Sequence, residues 1–198
     1  MNTTPKRILI LQGHPDPRGK HFLHALAASY AEGARAAGHA VHEVDIAQLD
    51  FPLLRSADDW QKGSLPPMLL PAQQEIAWAN HIVILFPLWL GYMPALLKGF
   101  LEQVARPGFA FHAGDGNPFA KKALGGRSAR VVVTMGMPAL VYRYLFRAHS
   151  VKSLERNVLG FVGISPVHET LVGNVEGLGV DDRARWLSRL RTLGTKAQ

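Results

Sequence analysis

Ten residues, Gly13-His14-Pro15-Asp16-Pro17-Arg18-Gly19-Lys20-His21-Phe22, bring two histidines, an arginine and a lysine together just after an apolar run and just before a helical one. Such donors at a helix start suit an anion, because the first N–H groups of a helix are unpaired and its dipole is positive there. His14 and His21 acting as plain caps, or facing water, would account for them equally well. Phe86-Pro87-Leu88-Trp89-Leu90-Gly91-Tyr92 is apolar and aromatic, which suits a planar ring lying against backbone, although a core or dimer contact would also explain it. Thr134-Met135-Gly136 offers a hydroxyl and a glycine that lets backbone approach a ligand closely. Tyr142 and His149 follow as ring donors able to stabilise developing negative charge. Tyr142 packed with Phe146, and a merely structural or exposed His149, are the plain alternatives.

Several chemistries are excluded. There is no cysteine, hence no disulfide, thiolate nucleophile or cysteine-ligated metal. The first loop has neither the GxGxxG of a dinucleotide fold nor the GxxxxGK[ST] of a P-loop. No Ser-His-Asp set is arguable, and the histidines lack metal-site spacing. Gln12-Gly13-His14 also excludes a phospho-receiver domain, which needs acidic residues after its first strand.

The elements that must position these residues are legible as alternating strands and helices. Residues 7–12, 40–46, 81–86, 129–135 and 161–172 read as five strands, the first and third apolar enough to be buried on both faces. Helical spacing runs over about 20–37, with Gly38 as its stop, then 72–79, 94–104, 141–156 and 180–194. Residues 47–71 form a long proline-containing excursion, of a length usually functional or disordered, and 106–120 is irregular. This alternation predicts an α/β fold, a five-stranded parallel sheet with helices on both faces. In such a sheet ligands bind beyond the carboxyl ends of the strands near the switch in strand order. The residues after strands 1, 3 and 4 therefore belong to one site.

The 198 residues, 47% of them hydrophobic, suit one domain spanning 1–198. No signal peptide or membrane span is expected, so a cytoplasmic location is. The net charge of +7 is met by scattered surface arginines or by an anionic cofactor. Nucleic acid is disfavoured, since the basic residues form no stripe interleaved with aromatics.

At Phe86, Pro87, Leu88, Pro94, Ala95, Leu97, Lys98 and Gly99 the chain resembles the flavodoxin-like NAD(P)H:quinone oxidoreductases, the DT-diaphorase and modulator-of-drug-activity group. Gly13-His14-Pro15, Asp45 to Phe51, Pro107 to Phe111 and Thr134-x-Gly136 with Tyr142 extend the likeness over nearly the whole chain. The resemblance implies a flavodoxin-like, doubly wound, five-stranded parallel sheet of order 2-1-3-4-5, a non-covalent flavin, FAD or FMN, and a homodimer whose second subunit helps to build the active site. It implies a ping-pong reaction in which NAD(P)H gives hydride to the flavin and a quinone or similar acceptor takes it. By the same resemblance Pro87, Leu88, Trp89, Leu90, Gly91, Thr134, Met135 and Gly136 hold the ring. His14 and Phe22 hold the phosphate region, and Tyr142 and His149 act near the flavin carbonyl. The family's Ser-Phe-Asn is His21-Phe22-Leu23 here, so Arg18, Lys20 or His21 must replace the serine hydroxyl. Trp89 also precedes the position of the family's tryptophan. The same resemblance leaves room for a flavodoxin-type electron carrier, disfavoured by the basic charge. It also leaves room for a regulatory ancillary subunit of a potassium-efflux system.

Overall fold

The computed structural model describes residues 4–114 and 117–198, and the side chains of all of these except 113, 114 and 117–120. Residues 1–3, where the N-terminal expectation begins, and 115–116, within the irregular stretch 106–120, lie outside the described residues.

The five expected strands form one parallel sheet. They are β1 (Arg7–Gln12), β2 (Ala40–Asp45), β3 (His81–Pro87), β6 (Ser128–Thr134) and β7 (Val167–Val172), in the order β2-β1-β3-β6-β7. Between β3 and β6 the chain inserts an antiparallel hairpin of its own, β4 (Phe111–Gly114) and β5 (Asn117–Lys122). Counted among themselves the five sheet strands keep the expected order, with β1 and β3 as neighbours at the switch in winding. Every residue of β3 is buried, as a central strand covered on both faces requires.

The helices divide between the two faces. On one, α1 (Phe22–Ala36) and α8 (Val180–Thr195) cover Ile8, Ile10, Val83, Leu85 and Val132. On the other, α3 (Leu70–Trp78) and α4 (Ala95–Val104) cover Leu9, Leu11, Ile82, Ile84 and Val131. The alternating residues of each strand thus feed two cores, one per face.

Four local expectations are corrected. The excursion 47–71 is ordered: it holds α2 (Ala57–Lys62) and is tied down where Arg106 Nη1 donates to the carbonyls of Asp59 (2.6 Å) and Gly63 (3.0 Å). The irregular stretch supplies the hairpin. The helix expected over 141–156 is broken into α5 (Ala139–Tyr144) and α6 (His149–Ser153) because Arg147 and Ala148 both take left-handed backbone, at φ 53° and 49°. After α6 a π-helical segment, Leu154–Leu159, leads into α7 (Gly160–Val162), so the last strand starts at Val167 and not at 161.

Candidate functional site

The ends of β1, β3 and β6 open onto one groove of about 390 Å³. Of the residues read from the sequence, His14, Lys20, His21, Phe22, Pro87, Leu88, Trp89, Thr134, Met135 and Gly136 line it. Three turns far apart in the chain therefore meet because their strands are neighbours in the sheet.

One end of the groove is built for negative charge. His21 caps α1 without giving a side chain to the first N–H groups, and the first turn holds no acidic residue. The N–H groups of His24 and Ala25 bond the His21 carbonyl, while those of Phe22 and Leu23 have no acceptor among the described residues and can meet a ligand. Lys20 sits beside them in left-handed backbone, φ 65°, a strain of the kind that concentrates at ligand-binding turns. His14 and His21 stack with ring centroids 3.8 Å apart, and His24 lies 5.5 and 5.7 Å from them. The Asp16 N–H donates to His14 Nδ1 at 3.1 Å, which leaves the proton of the neutral ring on Nε2. Burial, then the neighbouring charges of His21 and His24, push the His14 pKa down to about 4. Both ring nitrogens of His24 are buried with no partner among the described residues. Arg18 lies apart from the groove. Its side chain is 85% exposed and forks onto Asp16 at 2.7–3.2 Å, and this contact holds the Asp16 carboxyl well below the usual carboxylate range. Of the three candidate basic residues, Lys20 and His21 line the groove, the His21 Nε2 lying 2.9 Å from Asp16 Oδ2, and Arg18 does not.

The other end is apolar and turns a corner. Trp89 and Tyr92 exchange both backbone hydrogen bonds at 2.9 Å around a two-residue turn, with Leu90 at φ 47° and Gly91 at φ 77°. Positive φ at both positions defines the mirror-image hairpin turn, which ordinarily excludes leucine. The N–H groups of Leu90 and Gly91 have no acceptor among the described residues. Beyond the turn lies a second hollow of about 430 Å³, lined by Leu90, Gly91, Met137, Tyr142, Leu145, Phe146 and His149. Gly136 faces the groove and Met137 the hollow, so the two spaces flank one strand end.

Tyr142 and His149 do not project together from one helix start, because the chain breaks between them. The Tyr142 ring is buried, its hydroxyl 2.5 Å from Ser150 Oγ and accepting the Val151 N–H at 3.3 Å. His149 starts α6 and is exposed on the wall of the hollow.

The family model described as a flavodoxin-like fold matches residues 6–193. The chain belongs to this family. A ribosyldihydronicotinamide dehydrogenase-like protein of Penicillium crustosum is 29% identical over 156 residues, 66% of this chain and 57% of its own length. An FMN-dependent NADH:quinone oxidoreductase of Colwellia psychrerythraea is 31% identical over 108 residues, 54% of this chain and 52% of its own. The chain thus spans little more than half the length of these relatives. The crystal structure of a Streptococcus mutans protein superposes with a TM-score of 0.80 at 26% identity, covering 96% of this chain and 98% of that one.

A flavodoxin-like sheet has a fourth strand end near the groove, and its residues escaped the sequence reasoning. Val175 and Glu176, in the turn after β7, and Arg183 of α8 complete the wall. The Arg183 guanidinium lies 4.8 Å over the Phe22 ring and so clamps α8 to the start of α1. The rule that ligands collect beyond strand ends, applied to strand 5 as well as to 1, 3 and 4, would have found this turn.

Proposed function

We propose that this chain is a flavin-dependent NAD(P)H:quinone oxidoreductase, a single domain acting as a cytoplasmic homodimer, with FAD or FMN held in the groove and hollow at the strand ends. The observation that carries the proposal is the pairing of an uncapped helix start beside Lys20 and His21 with a flat apolar rim whose Leu90 and Gly91 N–H groups lack acceptors. A flavin matches that layout: a phosphate tail for the first, a ring with polar edge atoms for the second. Gly91 and Gly136 fit too, since a Cβ on Gly91 would meet nothing within 4 Å and the nearest atoms to one on Gly136 would be those of the Glu176 carboxylate, 3.6 Å or more away, so ring and backbone can approach there. The names carried by the two relatives, a nicotinamide-linked dehydrogenase-like protein and an FMN-dependent quinone oxidoreductase, point the same way.

A bound flavin supplies the hydride chemistry; the residues bind it and tune its charge. Pro87 to Gly91 and Thr134 to Gly136 orient the ring, while Lys20, His21, His14 and Phe22 hold the phosphate region. Negative charge developing at the ring edge is best met by a donor fixed beforehand. His149 fills that role from the wall of the hollow, and the Tyr142 hydroxyl, engaged by Ser150, positions α6 behind it. The hollow, walled by Leu90, Leu145 and Phe146, receives the nicotinamide and then the quinone. Among the described residues no helix is long and apolar enough to cross a membrane.

Purified protein should be yellow or take up flavin, and mass measurement of the released cofactor decides between FAD and FMN. Steady NAD(P)H oxidation with a simple quinone tests the enzyme. Flavin uptake without turnover would favour a carrier or an ancillary subunit, and neither uptake nor turnover would end the proposal.

A further inference from the structure

Positive charge also collects away from the groove, at the sheet edge formed by β7. A cleft of about 250 Å³ opens there between α5, β7 and α8. It shares α5 with the hollow, yet it has no residue in common with either the hollow or the groove. The charged side chains lining it are Arg143, Glu169 and Arg189. Arg143 Nη2 lies 2.5 Å from Glu169 Oε1, so the carboxylate of this wall is already neutralised. Arg189 pairs with no carboxylate among the described residues. Its guanidinium carbon sits 5.1 Å over the Trp186 ring. An indole face holds such a cation by its flat side and leaves the in-plane N–H donors for another acceptor.

A further cation stands one hydrogen bond behind the wall. Arg130 of β6 is 7% exposed, and its Nη1 donates to Thr170 Oγ1 at 2.7 Å and to the Glu169 carbonyl at 3.5 Å. Thr170 is itself part of the cleft. The Nε of Arg130 is buried with no acceptor, and no ion pair among the described residues includes this side chain. Burial above all lowers the Arg130 pKa, and the charge of Arg189 adds to this against an opposing effect of Tyr30, so the two cations share one field. A charge kept out of water without a partner costs stability, and an arginine does not escape the cost by losing its proton. Three guanidinium groups against one carboxylate leave two positive charges uncompensated at this cleft.

We propose that the cleft binds a small organic anion, a carboxylate carried on a flat aromatic body. The carboxylate meets the free donors of Arg189 in the field of Arg130, and the body lies against Trp186, Tyr144 and Leu140. The space is smaller than the roughly 300 Å³ at which pockets for drug-sized ligands begin, which restricts the body to about a single ring.

Benzoate is the probe. Its binding is read from the indole N–H signals in nuclear magnetic resonance spectra of the full chain, with Trp186→Phe identifying the signal of the cleft and Trp89→Phe that of the groove. Benzoate should shift the Trp186 signal to saturation in the millimolar range and leave Trp89 in place. Benzyl alcohol, the same ring without the charge, should shift neither. Arg189→Gln alters an exposed side chain and should weaken benzoate by about 10-fold, the usual worth of a hydrogen bond to a charged group. Arg130→Met removes the buried charge and should weaken it as well; if that variant does not fold, Arg189→Gln alone decides. Either folded variant binding benzoate as the wild type does would overturn the proposal. So would a shift of Trp89 in place of Trp186, or equal binding of benzyl alcohol. Inorganic phosphate moving the Trp186 signal as strongly as benzoate would also overturn it, showing a bare-ion site with no use for the aromatic wall. Because the cleft and the groove share no residue, each of these results stands whether or not the chain takes up flavin.

Discussion

Histidine carries much of the argument at the scale of single residues, and its environments differ sharply. His149 is exposed on the hollow, whereas His14 and His24 are packed against each other and His21. His149→Ala should lower the rate of flavin reduction by about 10- to 100-fold, the range for losing one charge-stabilising donor. Flavin affinity should stay as it was; rapid-mixing absorbance separates the two, and an unchanged reduction rate would leave His149 a surface residue. His81, the first residue of β3, shows the opposite environment. It is 1% exposed, its Nδ1 lies 2.8 Å from Ser128 Oγ, and its Nε2 has no partner among the described residues. Burial above all, helped by the charges of Lys6 and Arg130, pushes its pKa down to about 3. The unfolded chain takes up this proton below about pH 6.5 and the folded chain does not. The contribution is therefore complete above pH 6.5 and is lost as pH falls toward 3. Between pH 7 and pH 4 the wild type should lose on the order of 2 kcal/mol more stability than His81→Gln, read from urea midpoints at each pH. Matching midpoint shifts would show that His81 is protonated in the folded state. Residue types exposed the groove's anion end in the sequence, because clustered basic side chains before a helix are a composition signal. Glu176 and Arg183 carried none, since one glutamate in a turn and one arginine on a polar helix look like ordinary surface.

Between elements, backbone conformation decides what side-chain pattern cannot. The apolar spacing through 141–156 was helical, and most of those residues are helical, but Arg147 and Ala148 in left-handed backbone divide them. No glycine marks that break, so periodicity ran straight across it. The hairpin β4–β5 was equally hidden, because four residues of β4 are too few to show a period and β5 carries a proline. By contrast β1 and β3 were plain in the sequence, since a strand buried on both faces needs an unbroken apolar run. Close packing of α1 on α8 is a consequence of composition that only the fold exposes. A Cβ added to Gly33 would come within 2.0 Å of the Arg191 carbonyl oxygen, and one on Gly194 within 2.1 Å of the Tyr30 carbonyl oxygen. The two helices touch backbone to backbone at these glycines. Gly33→Ala must push them apart, at a cost of about 1–3 kcal/mol despite alanine's better helix propensity. Chemical denaturation would register this as a lower midpoint with the same slope. A gain in stability would mean that α8 sits farther from α1 than described.

For the whole molecule, the rim of the sheet presents two unlike surfaces: a groove of mixed charge and, across the Trp89–Tyr92 turn, an apolar hollow. The hollow is bordered by side chains that water does not favour, among them Leu90, fully exposed at the tip of its turn, Leu145 at 74% and Phe146 at 51%. Leu140 and Tyr144 of the same broken helix, at 68% and 73%, border the separate cleft together with Arg143, Glu169 and Arg189. Exposed apolar side chains grouped in this way mark a surface suited to a partner or a ligand. On the proposed function, a second copy docking on Leu90, Leu145 and Phe146 would cover these side chains and wall off the space that nicotinamide and quinone would enter. Leu145→Glu places a charge in the middle of that face while disturbing no buried side chain. It should convert a dimer into a monomer in sedimentation or light scattering, with far-ultraviolet circular dichroism unchanged. Quinone turnover should fall with dimer content, whereas flavin binding through the groove of the isolated subunit should survive in weakened form. Wild-type protein that sediments as a monomer at micromolar concentration, yet turns over fully, would show instead that one chain builds the whole site and that this apolar face serves the substrates alone.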